Sequence, residues 1–391
     1  MALTVGIPKE IKPGERRVSL TPCGVRHLNE QGITTCVERG AGMGSGFTDR
    51  AYAEAGARLV HDGRGLWREA SLIKKVKEPI PSEFGYFESK HIIFTYLHLA
   101  SPSERPLIDA LLRSRATAVA YETIEREGTT PLLRPMSEVA GVLAAYFAGL
   151  FQNYIAWEKD SIRGLESIYK KMEETARNYP DPPKDLQLGR IIVLGGGHVG
   201  EKAAQMAARM GGEVYVTEIS ESISAELAGR FQSEGIKVTV VNPDDRKRYQ
   251  DMLSSSDVIV SAVHAAGKRA PLIIDSNTLG ELSRGKKKII LDIAIDQGGN
   301  VAESKPVDYS HPLYVDSFGH LRFSVTNIPS LCGRGASEAL EKVSLDYTAA
   351  LAQGLDFALK RYPELASGVN VSKGMVTHPA VKEAYELQSA S

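Results

Sequence analysis

The segment Ile191-Ile-Val-Leu-Gly195-Gly-Gly197-His-Val-Gly200 limits the fold of this chain more than any other. An apolar, β-branched run enters G-x-G-x-x-G, and an alanine-rich stretch from Glu201 to Met210 follows. A strand turning sharply into a helix needs glycine at those places. Gly195 permits the turn, Gly197 lets backbone approach a pyrophosphate, and Gly200 lets helix and strand pack closely. The helix start then offers unpaired N–H groups and a positive dipole end to phosphates. The next apolar run, Val214-Tyr-Val-Thr-Glu218, ends in an acid placed to hold ribose hydroxyls. Glu218 would repel a 2′-phosphate, so NAD is expected as cofactor rather than NADP. A second glycine cluster, Gly40-Ala-Gly42-Met-Gly44-Ser-Gly46, misses the spacing because Ser45 stands where the third glycine belongs. It reads as a loop without phosphate.

On either side of this motif, short β-branched runs alternate with amphipathic stretches. Strands are expected at 4–7, 34–38, 71–77, 92–97 and 117–121, then at 191–194, 214–218, 238–241, 258–262 and 289–293. Helices are expected at 23–30, 51–55 and 104–114, and again at 337–359. This alternation predicts an α/β fold: two Rossmann-like domains, each a mainly parallel sheet flanked by helices, facing an interdomain cleft. The stretch Ser137–Trp157 has almost no polar face and is expected to be a buried helix between the domains. Ser161–Arg177 continues as a charged amphipathic helix, which Tyr179-Pro-Asp-Pro-Pro-Lys184 stops and which marks the passage into the nucleotide-binding part. The expected division is 1–136 plus 338–391 for substrate and catalysis, and 137–337 for NAD, with 137–189 as connecting helix and linker.

With 391 residues, 42% hydrophobic and 24% charged, the chain can bury two ordinary cores. A net charge of -1 gives no reason to expect nucleic acid or an anionic membrane as partner. Cys23, Cys36 and Cys332 form no CxxC pair, and the nine histidines show no metal-ligand spacing, so no metal is expected. Met1–Glu10 lacks an apolar signal core, and no later run reaches membrane-spanning length. A cytoplasmic protein is the expectation. Lys74 and Lys75, and the run Lys286–Lys288, read as solvated charges.

Several short stretches resemble the alanine dehydrogenase and nicotinamide nucleotide transhydrogenase family. They are Gly6-Ile-Pro-Lys-Glu10, Glu15-Arg-Arg17-Val18, Lys75-Val-Lys77-Glu-Pro79 and Phe94-Thr-Tyr-Leu-His98-Leu-Ala100. Pro135-Met-Ser-Glu-Val-Ala-Gly141, Asp292-Ile-Ala-Ile-Asp296-Gln-Gly-Gly299 and the tail Asn370-Val-Ser-Lys-Gly374 to Thr377-His-Pro-Ala380 continue the likeness in order. The resemblance implies an amino acid or 2-oxo acid as substrate, a homo-oligomer, and a set of site residues. Arg17 and Lys77 match the cations for the substrate carboxylate, and a guanidinium fork suits that group. His98 matches the catalytic histidine, a proton shuttle near neutral pH. Asp296 matches the acid that activates water or accepts the amine proton, and could meet His98 across the cleft. Tyr96, Met136 and Asn327 are implied at the substrate. Ser137, His198, Val199, Ala262, Val263, Ile293 and Val325 are implied at the cofactor, with Gly195, Gly197, Gly200 and Glu218.

Three departures stand out. The family's Gly-Gly-Val-Pro-Gly stretch before the nucleotide strand is replaced by Asn153–Gln187. Pro329–Ser337 lacks the usual Arg-Thr-Ser-Thr, and Val263-His-Ala-Ala-Gly267 replaces Val-Leu-Ile-Pro-Gly, setting His264 beside the expected nicotinamide position. Oxidative deamination of an alanine-like L-amino acid, or its reverse, is the leading expectation. Two alternatives stay open: reductive condensation of a 2-oxo acid with an amine, as opine- and saccharopine-forming enzymes do, and a non-catalytic NAD-binding subunit.

Overall fold

The β-branched runs separated by amphipathic helices build two parallel sheets, one in each of two units. The first unit is Met1–Met136 with Cys332–Ser391, and the second is Ser137–Leu331. The structure is a computed structural model that describes residues 2–157, 162–163, 167–264 and 269–389.

In the first unit the strands are β1 (Val5–Ile7), β2 (Thr35–Glu38), β3 (Arg58–Val60), β4 (Leu72–Lys74), β5 (Ile92–Thr95) and β6 (Thr117–Ala120). They lie in the order β3-β2-β1-β4-β5-β6, all parallel. This is the doubly wound order, whose reversal between β1 and β4 opens a crevice at the strand C-termini. Trp67, Leu66, Ile73, Ile93, Leu107 and Leu111 fill one face as a continuous core.

The second unit opens with the helix Arg134–Tyr154, whose first turn spans the division between the units. Its Phe147 and Phe151 rings pack on Phe323 at 5.6 and 5.5 Å between centroids. A two-stranded pair follows, β7 (Ala156–Trp157) and β8 (Ile162–Arg163). The sheet comprises β9 (Arg190–Leu194), β10 (Glu213–Thr217), β11 (Val238–Val241), β12 (Val258–Ser261), β13 (Ile289–Asp292), β14 (Leu313–Val315) and β15 (Leu321–Phe323). Its order is β11-β10-β9-β12-β13-β15-β14, with only β14 antiparallel. Back in the first unit, the returning chain adds β16 (Val369–Ser372), antiparallel to β6, and β17 (Met375–Val376).

Several expectations need correction. The helix expected over 161–177 is confined to Ile168–Ala176, because Ile162–Arg163 pairs as β8 and the residues 161 and 164–166 lie outside those described. The proline segment Tyr179–Lys184 runs inside the second unit rather than at a border. The helix expected over 337–359 begins at Gly333, ends at Ala352, and resumes as Leu355–Arg361 after Gly354. Residues 332–337 therefore belong with the first unit, where a Cβ on Gly333 would lie 2.7 Å from the Gly44 carbonyl oxygen.

Lys74 and Lys75 are buried, not solvated, since β4 is an inner strand covered on both faces. Lys74 Nζ donates to Ser344 Oγ at 2.6 Å and Thr348 Oγ1 at 2.9 Å. Lys75 pairs with Glu83 at 2.9 Å and Glu10 at 3.3 Å. In the Lys286–Lys288 run only Lys286 is exposed, and Lys288 Nζ is sequestered by the carbonyls of Ser254 and Ser256.

Candidate active site

In the first unit the predicted residues gather where β1, β4 and β5 end. Arg17 follows β1 and is 3% exposed. Its Nε and Nη2 donate to the two carboxylate oxygens of Glu15 at 2.7 and 2.5 Å, and its Nη1 approaches Met136 Sδ at 3.1 Å. One edge of the guanidinium is thus clamped inside the protein, which sequence reading missed although Glu15 stands in the same motif. The segment is braced from a second side by the glycine cluster expected to be a loop. A Cβ on Gly44 would lie 2.6 Å from the Arg16 carbonyl oxygen, and Ser45 Oγ donates to that same oxygen at 2.9 Å. The cluster serves close backbone packing.

Lys77, three residues past β4, is half-buried; its carbonyl accepts from Thr95 Oγ1 at 3.1 Å, while its ammonium makes no hydrogen bond or ion pair among the described residues. Burial, and then the nearby Arg17 charge, push its ammonium below the ordinary lysine range. Its neighbour Glu78 is instead taken by Lys12. A half-buried cation held beside a second cation favours an anion.

His98 comes three residues after β5 and takes a left-handed backbone, φ 51°. Its ring is exposed and stacks on Tyr96, 8° from parallel with centroids 6.0 Å apart. The Tyr96 hydroxyl in turn donates to the Leu132 carbonyl at 2.5 Å, and burial raises its pKa well above the ordinary tyrosine range. The amides of Leu97 and His98 both donate to the Glu122 carboxylate, which no sequence motif had singled out.

In the second unit the glycine loop has the expected shape. Gly195 adopts φ 98°, and a Cβ on Gly200 would lie 1.9 Å from the Gly195 carbonyl oxygen. A Cβ on Gly197 would meet nothing within 4 Å, so the start of the helix His198–Arg209 is open to a pyrophosphate. Glu218 directly follows β10, accepting from the amides of Gly196 at 3.2 Å and Ser220 at 2.9 Å. These residues fit NAD. His198 is exposed beside the loop, while Val199 is 7% exposed and is packing material.

Beyond β12, Ala262 is buried, and Val263 is gripped by Asn300, which accepts from its amide at 3.0 Å and donates to its carbonyl at 2.9 Å. Residues 265–268 of the altered turn lie outside those described. His264 is exposed, with Asp296 and Asp292 within electrostatic reach. The two acids differ sharply. Asp292 is fully buried and accepts from Asn300, Val301 and Ser304, so it holds the turn. Asp296 sits exposed on the short 3-10 helix Ile293–Gln297, and its carboxylate makes no hydrogen bond among the described residues. Ile293 and Val325 are buried, Asn327 has a left-handed backbone of φ 58°, and Ser137 lies near the start of the helix Arg134–Tyr154. Among the described residues no cluster of His, Cys, Asp and Glu could hold a metal ion.

A doubly wound unit with this glycine loop and acid, in one chain with a second unit carrying cations and a histidine at its strand ends, defines an NAD-dependent oxidoreductase. Residues 6–140 match the family described as alanine dehydrogenase/PNT, N-terminal domain, and residues 184–379 match alanine dehydrogenase/PNT, C-terminal domain. An alanine dehydrogenase of Halomonas elongata is 38% identical over 388 residues, spanning 99% of this chain and 98% of its own. The alanine dehydrogenase of Bacillus subtilis is 35% identical over 382 residues, covering 97% and 94%. A solved L-alanine dehydrogenase structure aligns with a TM-score of 0.83 at 32% identity, over 98% of this chain and 99% of that one. The chain belongs to the alanine dehydrogenase/PNT family.

Proposed function

We propose that the protein converts a small L-amino acid, alanine or a near relative, into the 2-oxo acid and ammonia with NAD, and catalyses the reverse. The observation that carries this reading is Lys77, a half-buried ammonium beside Arg17 without an internal partner. A substrate carboxylate supplies the missing charge, and Arg17, held in place by Glu15, flanks it. When bound, NAD accepts the hydride from the substrate α-carbon. His98 moves the proton at the substrate nitrogen and at the carbinol oxygen. Asp296 takes a proton from the water that attacks the imine carbon, and collapse of the resulting carbinolamine frees ammonia. Amino acid, water and NAD thus yield 2-oxo acid, ammonium, NADH and a proton. The reading assigns substrate to the first unit and NAD to the second, with Tyr96, Met136 and Asn327 lining the substrate and Ser137 near the cofactor.

We extend the proposal to a cytoplasmic homo-oligomer, supported by the family resemblance. No helix among the described residues is long and apolar enough to cross a membrane. The test is NADH formation by purified protein with a panel of L-amino acids at mildly alkaline pH, run beside Asp296→Ala. Turnover with alanine or another small amino acid, lost in the variant, is expected. Full turnover by Asp296→Ala would remove Asp296 from the mechanism. Reductive turnover that requires a second amine rather than ammonia would replace deamination with condensation.

A further inference from the structure

The left-handed backbone of His98 has a cause 24 residues away in sequence. A non-glycine residue at φ 51° persists only where its surroundings impose the turn. Here Glu122 Oε1 accepts from the His98 amide at 2.6 Å and the Leu97 amide at 3.1 Å, and Oε2 also lies 3.2 Å from the Leu97 nitrogen. His98 is exposed, so water could satisfy its amide, and a carboxylate is not needed merely to complete the hydrogen bonding. What the carboxylate adds is position. Two adjacent amides converging on one charge leave the turn a single arrangement, and Tyr96 then sets the plane of the ring.

The turn that carries Glu122 is itself tied to the returning chain. Thr123 Oγ1 donates to Asn370 Oδ1 at 2.8 Å, and the Glu125 amide donates to Ser367 Oγ at 3.0 Å. Farther along the same segment His378 lies within electrostatic reach of Glu122, and its Nδ1 is buried without a hydrogen bond among the described residues. The tail motif from Asn370 to Ala380, which the proposed chemistry does not otherwise use, thus backs the Glu122 turn.

We infer that Glu122 is a positioning residue for His98, holding the strand-end turn that presents the imidazole, while Ser367 and Asn370 of the returning segment tie down the turn that carries Glu122. The inference rests on the reading that His98 moves the substrate proton. Misplacing a reacting group by about 1 Å can cost a hundredfold in rate. In the full-length enzyme, Glu122→Ala is expected to lower kcat about tenfold or more, with the amino-acid KM and the NADH Kd within about twofold. Glu122→Gln keeps one acceptor oxygen and is expected to lose less, about threefold to tenfold, and serves if the alanine variant does not fold. His98→Gln, measured alongside, separates the two ideas. A crippled His98→Gln with wild-type kcat in the Glu122 variants overturns the positioning role alone. Full turnover by His98→Gln overturns the role of His98 instead. A lowered kcat accompanied by a raised KM, weakened NADH binding and a lowered Tm marks Glu122 as merely structural and also overturns the inference.

Discussion

Lys77 carries the net positive charge of the first unit's site, because Arg17 beside it is clamped by Glu15 while Lys77 has no such partner. Carboxylate binding favours the ammonium form, and burial with the Arg17 charge has lowered the pKa at which that form is lost. Affinity therefore falls as pH rises through this lowered value, earlier than a solvated lysine would allow. The KM for the 2-oxo acid is expected to climb on the alkaline side, beginning at a lower pH than an ordinary lysine would give. Lys77→Gln is expected to raise that KM about tenfold and to flatten its pH dependence. An alkaline KM profile unchanged by Lys77→Gln would exclude this residue as the carboxylate site. Arg17, Lys77 and His98 were legible as residues because each sits in a short motif near a strand end. The groups that aim them were less so. Glu15 shares a motif with Arg17 and could have been found there, whereas Glu122 lies 24 residues from His98 and meets it only after β5 and β6 pair.

At the scale of elements, β4 and the helix Gly333–Ala352 meet through a buried charge. Lys74 donates to Ser344 and Thr348, while Glu341, one turn earlier on that helix, accepts from the Thr21 amide and hydroxyl. Burial pushes Lys74 down to about 7, against the pull of Glu341. A base with a depressed folded pKa binds fewer protons folded than unfolded, so its contribution makes the protein more stable as pH rises from about 7 towards the ordinary lysine value. A gain of roughly 1–2 kcal/mol between pH 7 and 9 is expected, read from urea midpoints and absent in Lys74→Met. The two hydroxyls stay satisfied in that variant, since each also donates to a helix carbonyl. Equal pH slopes in both proteins would refute the assignment. Strand positions were legible from β-branched runs, but the burial of both adjacent lysines was not. On an inner strand alternating side chains enter opposite covered faces, so both disappear from water. The charged run before Arg177 misled in the other direction, because a helical composition cannot reveal that Ile162–Arg163 pairs as a strand.

For the whole molecule, the discontinuity of the first unit governs how it assembles. Its sheet is completed by β16, and β4 is covered by the helix Gly333–Ala352, both supplied after the second unit. A fragment of residues 1–136 is expected to remain unfolded alone, whereas residues 137–331, continuous in sequence, are expected to fold and bind NADH. Circular dichroism and NADH fluorescence on the two fragments check this, and a cooperatively folded 1–136 would contradict it. The sequence by itself determined the α/β class, the glycine loop with its acid, the NAD preference and the family, since each is written within a few consecutive residues. Only tertiary structure decided that Glu15 clamps Arg17, that Asp292 holds its turn while Asp296 stands exposed, and that Glu122 fixes the His98 backbone. Those outcomes depend on which polar groups burial brings together, and burial is a property of the packed chain rather than of any one segment.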